Sequence, residues 1–71
     1  MAHRLKEADM NLHDYLKLMS LDCPIKVFNE NEENRVVFDG YCGEATENRY
    51  FVNWKLTGHA FRNGEMLIWA I

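Results

Sequence analysis

The chain has 71 residues, 48% hydrophobic and 13% aromatic, with a formal net charge of −3. This is one domain, too apolar for a disordered segment and small enough that folding buries only ~62% of its unfolded surface. A core of that size leaves ~3–5 kcal/mol of net stability unless a disulfide, a metal or a second subunit adds to it. No run of Lys and Arg supplies the phosphate-binding stripe that nucleic acids require, so direct nucleic-acid binding is not expected.

Residues 1–9 (MAHRLKEAD) are polar and mixed in charge, an N-terminal extension ahead of a single domain over 10–71. The stretch from Met10 predicts an amphipathic helix. Asn11 is suited to cap it, with Asp14 three residues on at its positive end. Leu12, Tyr15, Leu16 and Met19 then fall at i, i+3, i+4 and i+7, one apolar face. Leu5 and Ala8 continue that face backwards, so the helix has room to start before Asn11. Pro24 closes it, because the residue before a proline is pushed out of the helical region.

"PIKVFN" and "RVVFDGYC" follow, rich in the β-branched and aromatic residues that suit a pleated surface, with the polar "ENEEN" between them as a hairpin connection. Ile25 and Val27 share one strand face, Lys26 and Phe28 the other; the register of this hairpin is left open. Gly40 and Gly43 loosen the end of the second strand at a bulge or turn. "GEATENR" over 43–49 suits a loop or a single helical turn.

The last third alternates. Val52, Trp54, Leu56, Gly58 and Ala60 face one way; Asn53, Lys55, Thr57, His59 and Phe61 face the other. Asn63-Gly64 is the dipeptide preferred in a two-residue type I′ turn, which pairs Arg62 with Glu65 and sets the register. Ala60 then lies opposite Leu67, Gly58 opposite Trp69 and Leu56 opposite Ile71. Packing the helix on that face gives an expected core of Leu12, Leu16, Met19, Trp54, Leu56, Leu67, Trp69 and Ile71. Gly58 leaves a gap that the Trp69 ring covers. The expected architecture is α+β: one N-terminal amphipathic helix on one face of a four-stranded, mainly antiparallel sheet built from two hairpins.

The same register places Phe61 opposite Met66, His59 opposite Ile68 and Thr57 opposite Ala70 on the reverse face. A sheet covered by one helix usually leaves its second face polar, and this one is partly apolar. Either a partner covers Phe61, Met66 and Ile68, or the N-terminal residues or 43–51 fold over them. His59, among apolar neighbours, could make such an association pH-dependent.

Chemistry is thinly represented. Cys23 and Cys42 are too few for a secreted disulfide scaffold. No leader-like or membrane-spanning run is evident, so a cytoplasmic protein with reduced thiols is expected. Cys42 beside Gly43 would be a nucleophile only if His13 or His59 lay close, with Asp39 to orient it; nothing in the spacing places them together. The histidines lack ligand spacing, and Glu30, Glu32, Glu33 and Asp39 lack that of a calcium loop. No enzyme, cofactor or metal is therefore expected. The acids between Asp22 and Glu47 outnumber Lys26 and Arg35, which favours a basic partner at Glu30, Glu32 and Glu33 over an acidic one.

Residues 10–45 carry a pattern of their own: Leu21-Asp22, then Ile25-Lys26-Val27, then Phe38, Gly40, Gly43 and Glu44. In this they resemble small orphan α+β proteins of phages and prophages of Gram-positive bacteria. The resemblance covers about half the chain and brings no active-site residues with it. It implies an accessory protein that acts by binding, including inhibition of host defence proteins. The leading expectation is thus a non-enzymatic protein-binding module of the bacterial host cytosol. It would form a homodimer through Phe61, Met66, Ile68 and His59 and meet its partner through Glu30, Glu32 and Glu33. A structural accessory that acts only by homo-oligomerisation is the alternative.

Overall fold

The computed structural model describes residues 10–71. The polar extension over 1–9 and the backward continuation of the helical face through Leu5 and Ala8 lie outside the described residues.

Helix α1 (Leu12–Leu16) is a short helix. The Asn11 side chain accepts from the His13 N–H at 2.8 Å and its amide donates to the Val52 carbonyl at 2.9 Å. One residue thereby satisfies an orphan donor of the helix start and ties the start to a distant loop. Helical bonding stops at Lys17, and the next bonds are tight, Leu18 N–H to the Tyr15 carbonyl and Met19 N–H to that of Leu16. The expected helix is cut short because the chain must reverse before Pro24 enters the middle of the sheet, and tertiary demands of this kind outweigh propensity.

Strand β1 (Pro24–Asn29) and strand β2 (Arg35–Tyr41) form an antiparallel hairpin. A 3₁₀ turn over Glu30–Glu32 joins them, capped by the Asn29 side chain accepting from the Asn31 N–H at 2.9 Å. Helix α2 (Cys42–Thr46) is the single turn allowed for that region. A second 3₁₀ turn spans Arg49–Phe51. Strands β3 (Leu56–Arg62) and β4 (Glu65–Ala70) form the second hairpin. Asn63 and Gly64 both have positive φ, 52° and 80°, as a type I′ turn demands.

Strand order is β2-β1-β4-β3, and β1 pairs with β4 in parallel. The fold is α+β with a four-stranded sheet from two hairpins, as expected, but the sheet is mixed, because its two hairpins meet along their parallel inner strands. That leaves β1 and β4 in the middle, and β4 accordingly reads as apolar on both faces.

The register expected from the turn holds from Arg62–Glu65 through Ala60–Leu67 to Gly58–Trp69 and then breaks. Thr57 is an extra residue, so Leu56 pairs with Ala70 rather than Ile71, while Lys55 and Ile71 exchange backbone hydrogen bonds of 2.7 and 3.0 Å. A bulge resets the side-chain alternation of a strand. It puts Leu56 on the face of His59 and Phe61 and sends Gly58 and Ala60 to the other. The expectation that Leu56, Gly58 and Ala60 share a face is therefore wrong.

The sheet is also the other way round. Its covered face carries Ile25, Val27, Ile68 and Ala70, all inaccessible, and Leu56 at 8% exposure. Against them pack Leu12 and Leu16 of α1, Cys42 and Ala45 of α2, and Phe51. Met19 and Trp54 border this core as expected. Leu67 and Trp69 lie outside it, and Ile71 is 43% exposed. The two tryptophans thus occupy opposite sides of the sheet: Trp54 meets the Phe51 ring edge-on at 5.2 Å, whereas Trp69 stacks on Phe28.

Candidate protein-binding surface

Inverting the sheet moves the apolar surface. Met66 and Ile68 were expected on an exposed patch with Phe61 and His59. Ile68 is instead fully buried, and Met66 packs against the core with its sulfur 3.9 Å from the Tyr15 hydroxyl. Ile68 is therefore not free to meet a partner, and Met66 is only partly so. Phe61 remains 63% exposed and His59 is exposed, its ring 5.4 Å from that of Tyr15. They sit together towards the outer end of β3, where His59 still meets Tyr15 of α1 and Phe61 lies largely open.

The face away from the helices carries the larger cluster. Phe28 and Trp69 are directly paired across the parallel β1–β4 ladder, and their rings stack at 5.1 Å between centroids with 19° between planes. Leu67 is next but one to Trp69 along β4, and Val36, opposite Phe28, is exposed. Gly58 and Ala60 flank Trp69 and Leu67 from β3. Every described helix and 3₁₀ turn that contributes a buried side chain contributes it to the opposite side of the sheet. The stack is half-buried chiefly by its own neighbours.

Charges frame this cluster. Lys26, half-buried, and Asp39, exposed, pair across β1 and β2 at 4.0 Å, a bond of small net value. The turn bearing Glu30, Glu32 and Glu33 begins two residues after Phe28, with all three carboxylates exposed. Arg35 engages Glu32 at 2.6 Å, leaving Glu30 and Glu33 without an ion pair among the described residues. An aromatic stack close to surplus negative charge can take a cation on its π face, with the neighbouring carboxylates adding to the attraction.

The catalytic constellation does not assemble. The Cys42 thiol is buried and donates to the Leu16 carbonyl at 3.1 Å, and burial, with a smaller contribution from Cys23, raises its pKa. A thiol held protonated is a poor nucleophile. His13 Nε2 donates to the Asn48 carbonyl at 3.0 Å, and His59 faces Tyr15; neither bonds to Cys42. Cys23 and Cys42 are both free thiols, although the Cys42 N–H donates to the Cys23 carbonyl at 2.8 Å. Among the described residues no three His, Cys, Asp or Glu side chains gather to hold a metal ion. No helix there is long and apolar enough to cross a membrane.

The sequence reading missed the Phe28–Trp69 stack. Its signal was the apolar character of both faces of "EMLIWAI", which marks an inner strand whose second face also meets something apolar. The parallel pairing that brings Phe28 alongside leaves no local trace. Compared with known proteins, the chain matches no family model, no curated protein and no solved structure.

Proposed function

We propose that this chain is a non-enzymatic protein-binding module whose contact surface is the helix-free face of the sheet, centred on Phe28 and Trp69. One observation carries this reading: a stacked aromatic pair, with Leu67 and Val36 beside it, lies on the side of the sheet away from every described helix. Contiguous apolar surface of this kind marks interaction sites, and aromatic anchors dominate binding energy. Glu30 and Glu33, in the turn that follows Phe28, select for a basic partner surface through charge complementarity. An Arg or Lys beside an apolar anchor fits both features. The resemblance of residues 10–45 to phage and prophage proteins suggests a host protein, including a defence protein that the module inhibits. That setting rests on the resemblance alone.

Capture from bacterial lysate by the immobilised protein, compared with Trp69→Ser and with the triple reversal Glu30→Lys, Glu32→Lys, Glu33→Lys, tests the reading. The same bound protein should be lost with Trp69→Ser and weakened by the triple reversal in a salt-dependent way. Capture unchanged by both would remove this surface from consideration. The second reading, a structural accessory acting through self-association, is favoured by a separate feature, the outer edge of β3.

A further inference from the structure

Strand β3 is an edge of the sheet. Leu56 and the two residues before the strand already have a partner: the Leu12 N–H donates to the Trp54 carbonyl at 2.8 Å, the Leu56 N–H donates to that of Met10 at 3.0 Å, and Asn11 bridges Lys55. Past Leu56 no described residue pairs with this edge. The type I′ turn at Asn63-Gly64 makes Arg62–Glu65 a pair that exchanges both backbone hydrogen bonds. Alternation gives Ala60–Leu67 and Gly58–Trp69 the same arrangement, so the N–H and C=O groups of Phe61 and His59 point away from β4. Those four groups form a ladder that no described residue matches.

Exposed edges are normally guarded by charges, proline or a bulge. Here the bulge at Thr57 guards only the first part. Leu56 through Phe61 carry no charge at all, in a chain of which 27% is charged. The segment from Gly58 to Arg62 is short, exposed in its last four residues and nearly self-complementary.

We infer that this edge pairs with the same edge of a second copy, antiparallel about a two-fold axis through Ala60. In that register His59 meets Phe61 of the mate and Phe61 meets its His59, and each pair exchanges two backbone hydrogen bonds. Ala60 faces its own mate on the helix-free side, where its small side chain permits close approach. Arg62 lies opposite Gly58 of the mate, so no like charges are directly opposed. Moving the axis to His59 would bring the Thr57 bulge into the ladder. Moving it to Phe61 would pair His59 with the Asn63 turn. Ala60 is the one centre at which all the outward groups of both strands are used, and the pairing stops short of Leu56, which Met10 holds. The two sheets become one of eight strands, and both Phe28–Trp69 stacks then lie on a single continuous face. This inference is independent of what binds that face.

The test uses the symmetry. Sedimentation equilibrium of the full chain at high micromolar concentration should give twice the 8.4 kDa monomer mass. Ala60 is exposed, so Ala60→Lys and Ala60→Glu should each keep the native circular dichroism and lose the dimer, because each sets two like charges against each other on the axis. Mixing the two variants should restore a dimer containing one of each. A monomeric wild-type chain, a dimer indifferent to both substitutions, or folded variants that stay monomeric when mixed would each overturn the proposal.

Discussion

Ile68 and Leu67 are adjacent in β4 and point to opposite sides of the sheet, so the cost of shortening each reports which face is inside. Ile68 is fully inaccessible and belongs to the core formed by Leu12, Leu16, Ile25, Val27 and Phe51. Removing one methylene there should cost about 0.5–1.5 kcal/mol, and truncation to Ala about 2–5 kcal/mol. The latter is comparable with the ~3–5 kcal/mol that a core of this size supplies altogether, so Ile68→Ala should be largely unfolded. Ile68→Val is the quantitative probe. With about 4–8 °C of Tm per kcal/mol in a domain of this length, it should melt about 2–12 °C below the parent. Leu67 is half-buried and outside that core. Full burial of such a side chain contributes about 1.5–3 kcal/mol, so Leu67→Ala should cost about half that, ~1 kcal/mol, with no enclosed cavity to add to it. Thermal melts followed by far-ultraviolet circular dichroism read all three variants. A Leu67→Ala protein less stable than Ile68→Ala, or an Ile68→Val melt that coincides with the parent, would mean that the sheet is the other way round and the reasoning fails.

The two glycines of the second hairpin should respond with opposite sign. A Cβ on Gly58 would lie 3.8 Å from Trp69 Cε3, ordinary contact, and its φ lies outside the left-handed range. Gly58→Ala should therefore raise stability by about 0.4–1 kcal/mol through the unfolded chain. Gly64 sits at φ +80°, and Gly64→Ala should lower stability by about 1–2 kcal/mol; urea midpoints check both. Alkaline titration tests the buried thiol. Burial raises the pKa of Cys42, so the unfolded chain loses its proton first and stability must fall as pH climbs past about 8.5 towards the raised folded value. Tyr15, raised by burial with a smaller contribution from Cys23, adds a fall of the same sign above about pH 10. Urea midpoints from pH 7 upwards should decline in the parent and lose the first part of that decline in Cys42→Ala. A flat parent profile would contradict the burial assigned to the thiol.

Local chemistry was legible in the sequence, and long-range choices were not. Asn63-Gly64 announced its own turn, and the five pairs nearest to it followed from counting outward. Asn11 announced the helix start by the geometry of a short side chain. Alternation then named the two sides of β4 correctly but could not say which was inside, because Trp69 and Leu67 on one are as apolar as Ile68 and Met66 on the other. A single extra residue at Thr57 reversed the assignment of Leu56 relative to Gly58, and nothing in "KLTG" distinguishes a bulge from plain alternation. Folding of 43–51 over the face of Met66 and Ile68 was one of the expected covers, but Phe51 was not singled out because "NRYFVN" has no period; its burial comes from a 3₁₀ turn folding over the sheet. The parallel union of β1 with β4 joins segments about forty residues apart and sets the strand order. The acidic turn was readable, since Glu30, Glu32 and Glu33 needed only to be exposed. The aromatic half of the candidate surface was not, since Phe28 and Trp69 meet only through that parallel pairing.

Proton–proton proximity at the Trp69 indole tests the central claim most directly. Nuclear Overhauser spectra of the full chain should connect the indole protons of Trp69 to the ring of Phe28 and the α-protons of Gly58, with no cross-peaks to the methyls of Leu12 or Leu16. Strong cross-peaks from Trp69 to those helical leucines would place this indole under α1 and contradict the account.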